Sequence, residues 1–129
     1  MKQAFQIVFA VAGTIVSLCP AQAHHSFAAT YLADKTVVLD GVLSQFLFRN
    51  AHSFIQMDAK DASAHTVRWY VEWSGASVLA RSGITRNTLK PGDHVTIVGN
   101  PSRHLEDHRA RLISIKRLPD GWKWSGVQD

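Results

Sequence analysis

Seven histidines, ten carboxylates and one cysteine are the side chains in this 129-residue chain with which a metal could be held or a proton moved. The most suggestive arrangement is the pair His24-His25, which follows directly on the triplet Ala21-Gln22-Ala23. If a peptidase cuts after Ala23, His24 becomes the first residue, and a free α-amine stands beside an imidazole. Those two nitrogens can chelate one ion. The amine titrates near 7.7–8.0 and the ring near 6.5, so a metal displaces the remaining proton of each at little cost near neutral pH. Nitrogen donors of this kind suit Cu(II) best among the common divalent ions. His25 offers a second mode, through the amine, the intervening amide and its own ring. Neighbours on an extended segment point to opposite faces, so the two rings act together only if the terminus bends. A third ligand is expected from His52, at a corner between two strand-like runs, and His24, His25 and His52 form the candidate metal set.

The remaining groups promise less. His104 and His108 stand four apart, but Glu106 is misplaced for a helical zinc-protease pattern, which needs the acid directly after the first His. Their segment reads as a solvated hairpin tip, and His65 and His94 read as isolated surface residues. Glu72 is the one acid set inside a strongly apolar strand. It falls opposite Val67, Trp69, Val71 and Trp73, which predicts solvent exposure or pairing with Arg68 or Arg81 rather than a buried acid with a raised pKa. No Gly-x-Ser-x-Gly elbow and no phosphate-cradling glycine loop occurs, so no catalytic residue is assigned. Phe46, Phe48, Tyr70, Trp122 and Trp124, with Arg111, Lys116 and Arg117, could supply an aromatic and basic face. Core packing is the commoner fate of such aromatics in a small domain. Trp122 and Trp124 would mark a partner site if both were exposed.

The compartment is expected from the N-terminus. Lys2 precedes an apolar stretch from Ile7 to Leu18, interrupted by Gly13, Thr14 and Ser17 and too short for a membrane span of about 20 residues. Residues 1–23 therefore read as a cleaved secretory signal peptide, and residues 24–129 as one periplasmic or secreted domain with no transmembrane anchor. Leu18 before Cys19 argues against a lipid attachment site. With Cys19 removed, thiolate catalysis and Cys-ligated zinc are excluded from the mature chain, and stability must come from packing or a ligand. The net charge of +4 falls by one unit with Lys2. So mild a charge on an exported protein leads us to expect no nucleic-acid partner.

Period-2 alternation dominates the mature chain. Thr36 to Phe48 predicts a long first strand bent at Gly41, and Ser53 to Ala59 a second, with Lys60 to Ala64 turning into a third from Thr66 to Trp73. A short helix is expected over Ser77 to Arg81, with Ser74 or Ser77 as N-cap and Gly83 to end it. Pro91 and Gly92 form a turn into a strand from His94 to Gly99. A polar loop over Asn100 to Arg109 leads to the return strand Ala110 to Leu118, and Asp120-Gly121 turns the chain into Trp122-Lys123-Trp124. Five or six strands with a short helix between the third and fourth match an oligonucleotide/oligosaccharide-binding (OB) type barrel. A mainly β, OB-like barrel is therefore the expected fold, with a small open sandwich as the alternative.

Several stretches also resemble a known family. His24-His25-Ser26-Phe27-Ala28, the Arg49-Asn50-Ala51-His52 corner, Glu72 with Gly75, and the run from Arg81 to Asp93 are similar to domain-of-unknown-function family 6152, small exported bacterial proteins. The resemblance spans nearly all of residues 24–129. It implies an exported small β domain and no reaction. The corner usually reads Asn-Pro-His in that family, and here Ala51 replaces the proline. The expected function is thus a small exported binding module capturing a divalent metal such as copper. The alternative is a metal-free interaction or accessory subunit that engages a protein or small ligand through the aromatic and basic face.

Overall fold

The computed structural model describes residues 27–126. Alternating side chains build its sheet, as the period-2 pattern requires. The element order is α1 (Phe27–Thr30), β1 (Val37–Leu47), β2 (His52–Lys60), β3 (Thr66–Ser74), α2 (Ala76–Ala80), β4 (His94–Pro101), a 3₁₀ turn (Leu105–Asp107), β5 (Arg109–Leu118) and β6 (Lys123–Ser125). Spatially the strands run β3-β2-β1-β4-β5-β6, and a further β3–β5 pairing closes the first five into a barrel. The closing pair is parallel and short, matching Tyr70 with Arg109, Val71 with Ala110 and Glu72 with Arg111. All other pairings are antiparallel.

β1 serves two halves of the barrel: Val37 to Val42 pair with β4, and Gly41 to Leu47 with β2, the latter across a bulge between Leu43 and Gln45. Gly41 sits where the strand coils over. A Cβ built there would lie 2.1 Å from the Asp58 carbonyl oxygen, so the close approach of β1 to β2 excludes any side chain. Inward residues of every barrel strand form one core, including Leu39 and Leu43, Ile55 and Met57, Val71 and Trp73, Val95 and Ile97, and Leu112 and Ile115. Helix α2 inserts Leu79 into it, and the segment before β4 adds Ile84 and Leu89. The expected mainly β, OB-like barrel with a helix between the third and fourth strands is what the structure contains.

The helix cap differs from expectation. Gly75, not Ser74 or Ser77, holds the N-cap position and has no side chain to cap with. Asn50, on the β1–β2 loop, replaces it: its Oδ1 accepts hydrogen bonds from the Ser77 backbone N–H at 3.0 Å and the Ser77 hydroxyl at 3.1 Å. The orphan amides at a helix start need an acceptor, but it can come from anywhere in the fold. Gly83 ends the helical segment with φ +75°, and Gly92 takes φ +93° in the turn before β4. Left-handed backbone of this kind favours glycine at both turns.

Among the described residues no helix is long and apolar enough to cross a membrane.

Candidate functional site

Beyond Glu72 the register between β3 and β5 stops, and a cleft of about 640 Å³ is bordered by both strands. Its walls include Phe27, His52, Glu72, Arg111, Trp73 and Trp124. The charged groups come from the outer faces of β2, β3 and β5, and the two indoles from residues packed in or against the core. The chain from Phe27 to Arg103 explains how α1 reaches this place. Leu32 N–H donates to the Pro101 carbonyl, Arg103 N–H to the Thr30 carbonyl, and Tyr31 forms a bridge with Ser102. The Arg111 guanidinium covers the Phe27 ring at 3.3 Å from its centroid.

Glu72 is the hub. Its side chain is only 14% exposed, and three groups from three separate elements converge on it. The Tyr31 hydroxyl donates to Oε2, His52 Nδ1 lies 3.0 Å from Oε1, and Arg109 lies 3.5 Å from Oε2. This overturns the expected exposure or pairing with Arg68 or Arg81. Arg68 is instead held by Asp58 across the β2–β3 hairpin, with both contacts at 2.9 Å. The reason is register: Asp58 faces Arg68 directly, whereas the residue opposite Glu72 on β2 is Phe54. Tyr31 is 2% exposed, and burial first, then the bond to Glu72, pushes its phenol well above the usual tyrosine range.

His52 therefore has an oriented ring. A carboxylate only accepts, so a ring that carries its proton on Nδ1 faces an acceptor there, and in that tautomer the Nε2 lone pair is free for a ligand. The side chain remains 40% exposed. The corner before it is tightly built. Gly75 packs so close that a Cβ would lie 2.4 Å from the Ala51 carbonyl oxygen, and the Asn50–Ala51 peptide is cis. His24 and His25 lie outside the described residues. No group of three or more His, Cys, Asp or Glu side chains suited to a metal ion occurs among the described residues.

The other histidines have partners of their own. His104 is solvated near Glu106, whereas His108 takes a left-handed backbone and sets its ring edge-on to Trp69 at 5.4 Å. They flank a single 3₁₀ turn and do not share a helix face. His94 is on the surface as expected but is not isolated, since Asp40 accepts from it at 2.7 Å and from the Thr96 hydroxyl at 2.8 Å. Those two bonds hold the Asp40 carboxyl below the usual aspartate range. His65 lies exposed near Asp61.

The aromatic residues divide differently from the set named on sequence grounds. Phe46, Phe48, Trp122 and Trp124 pack against the core, and Trp124 meets Trp73 edge-on at 4.9 Å. Arg117 is tied to Asp120 and Asp93 and lies over Trp122. Of that set, Tyr70 alone belongs to the exposed large apolar or aromatic side chains, at 41%. It borders a second, shallower hollow of about 340 Å³ on the outer β2–β3 face, lined by Leu47, Arg49, Phe54, Gln56, Tyr70 and Arg109. Phe54, Arg49 and Arg109 escaped notice because only the closed barrel brings a loop, a middle strand and β5 onto one face.

Comparison with solved structures finds a likeness to the mitochondrial single-stranded DNA binding protein Rim1 from S. cerevisiae, with a TM-score of 0.50 and 9% identity. It covers 67% of this chain and 96% of that one, and at this identity the likeness is one of fold. No curated protein matches. A family model does match, over residues 13–110: it is DUF6152, described as a family of unknown function.

Proposed function

The chain belongs to the family of unknown function DUF6152, and we propose that it is an exported, non-catalytic binding module that captures a divalent metal such as Cu(II) through His24, His25 and His52. The observation that carries this reading is the contact between His52 Nδ1 and Glu72, 3.0 Å long, in the cleft that Phe27 also lines. Metal-ligating histidines commonly donate their second ring nitrogen to a carboxylate, which fixes the tautomer and raises ligand basicity. Glu72 is placed to do so, and Tyr31 and Arg109 hold Glu72 in turn. Phe27 is three residues from His24 and two from His25, so their Cα atoms lie within about 11 and 8 Å of its own by covalent reach alone.

Copper would meet the α-amine, a terminal imidazole and His52 Nε2, all neutral nitrogen donors once deprotonated. Affinity should then fall as the pH drops, because protons compete with the metal for each nitrogen donor. The test is a copper titration of the chain that begins at His24, compared with one carrying an extra N-terminal residue and with His52→Ala. Both altered chains should bind more weakly. Equal binding by all three, or binding no tighter than about 1 µM by the first, would falsify the proposal. Mass analysis of the protein recovered from the envelope tests export, through the expected start at His24.

A further inference from the structure

We propose that the outer face of β2 and β3 carries a second binding site, distinct from the metal reading, for a single anionic sugar ring such as a uronate unit of an acidic oligosaccharide. The face is laid out by register. Leu47, Phe54, Glu72 and Arg111 form one row across β1, β2, β3 and β5, and Gln56, Tyr70 and Arg109 form the next. Two guanidinium groups lie over the Phe54 ring, Arg49 at 5.3 Å from the centroid and Arg109 at 5.9 Å.

Arg49 is the informative residue. The arginine–carboxylate pairs among the described residues involve Arg68, Arg109 and Arg117, and Arg49 is in none of them. Its backbone is nevertheless pinned from inside the barrel. The Arg49 N–H donates to the hydroxyl of fully buried Ser53 at 3.3 Å, that hydroxyl donates to the Arg49 carbonyl at 3.2 Å, and the Ala76 N–H donates to the same carbonyl at 3.0 Å. A cation with no acid of its own, anchored at its backbone beside the Phe54 ring, is free to take an external carboxylate. Arg109, which also lies 3.5 Å from Glu72 Oε2, lines the same hollow and adds a second cation.

The shape of the hollow selects one ring rather than a polymer of bases. Single-stranded nucleic acid stacks successive bases on successive free aromatic faces along a basic groove. Here Phe54 already lies beneath two guanidinium groups, so Tyr70 is the single open platform, and the hollow holds about 340 Å³. A pyranose sets its C–H face on such a ring, its carboxylate can reach between Arg49 and Arg109, and Gln56 offers both a donor and an acceptor to its hydroxyls.

The experiment uses the metal-free chain beginning at His24 in chelator, titrated with trigalacturonate, with neutral galactotriose and with a short oligothymidylate, and read by amide chemical shifts. Trigalacturonate should shift the amides of Arg49, Phe54, Gln56, Tyr70 and Arg109. Arg49→Gln and Tyr70→Ala should each weaken it by about tenfold or more while leaving the rest of the spectrum intact. Galactotriose should not bind. Absence of binding by trigalacturonate, equal binding by Arg49→Gln or by the neutral sugar, or shifts at a different face overturns the proposal. Tighter binding of oligothymidylate on the same face overturns it in favour of nucleic acid. Because His52 and copper take no part, either outcome is separable from the fate of the metal reading.

Discussion

Glu72 shows how much of a side chain's chemistry is decided by what converges on it. A carboxylate on the polar face of an exposed strand would be an unremarkable surface group, but here Tyr31, His52 and Arg109 all close on it. Removing it leaves a buried phenol without an acceptor, and an unmade buried bond costs more than a made one contributes. We expect Glu72→Ala to lower unfolding free energy by about 2 kcal/mol in urea titration, and Tyr31→Phe by about 1 kcal/mol. Tyr31 also sets an alkaline limit. Its folded pKa is raised above the 10.0 of a free phenol, so the stability it contributes is complete below pH 10 and is lost as the pH climbs from there toward the folded value. The alkaline limb of the stability profile should flatten in Tyr31→Phe, and an unchanged limb would refute this origin.

At the scale of elements, the pairing of distant segments replaces local signals. Helix α2 is only five residues long and draws its cap from Asn50, 27 positions earlier. Asn50→Ala should cost about 1 kcal/mol, as lost caps do, detectable as a lower urea midpoint with an unchanged slope. Gly75→Ala should cost more, because its new methyl meets the Ala51 backbone carbonyl first, and backbone cannot swing away. The β2–β3 hairpin carries the Asp58–Arg68 pair, whose hydrogen bonds hold the Asp58 carboxyl below the usual range. A depressed pKa contributes stability that is present above the unfolded value near 3.9 and lost as pH falls through the folded one. Stability should therefore decline with acid in this window, and less steeply in Asp58→Asn. The pair is partly solvated, so the difference should also shrink in high salt.

The described residues form one barrel around one core, so stability should be lost in one step. Ile97 lies fully buried at the centre, and Ile97→Ala should cost about 2–5 kcal/mol through lost burial and the cavity left behind. Backbone dichroism and tryptophan emission should report the same midpoint, since Trp73 lies in that core and Trp124 packs against it. Separate midpoints would show that β6 and its indole melt independently of the barrel.

The strands were legible because burial on one face of a sheet forces alternation, and that alternation is local. Thr66 to Trp73, read from spacing alone, falls within β3 as it stands, and the turns at Gly83 and Gly92 follow from a backbone geometry that glycine adopts cheaply. The length, the mild charge and the absence of any familiar catalytic motif were equally a matter of residues counted in order. The partners of Glu72, the cap of α2 and the meeting of Arg49 and Arg109 at the Phe54 ring were not. Each joins groups separated by tens of positions, and their proximity depends on barrel closure through the β3–β5 seam. A pattern of near neighbours carries the face on which a residue lies; which other face it meets is settled only when the sheet closes.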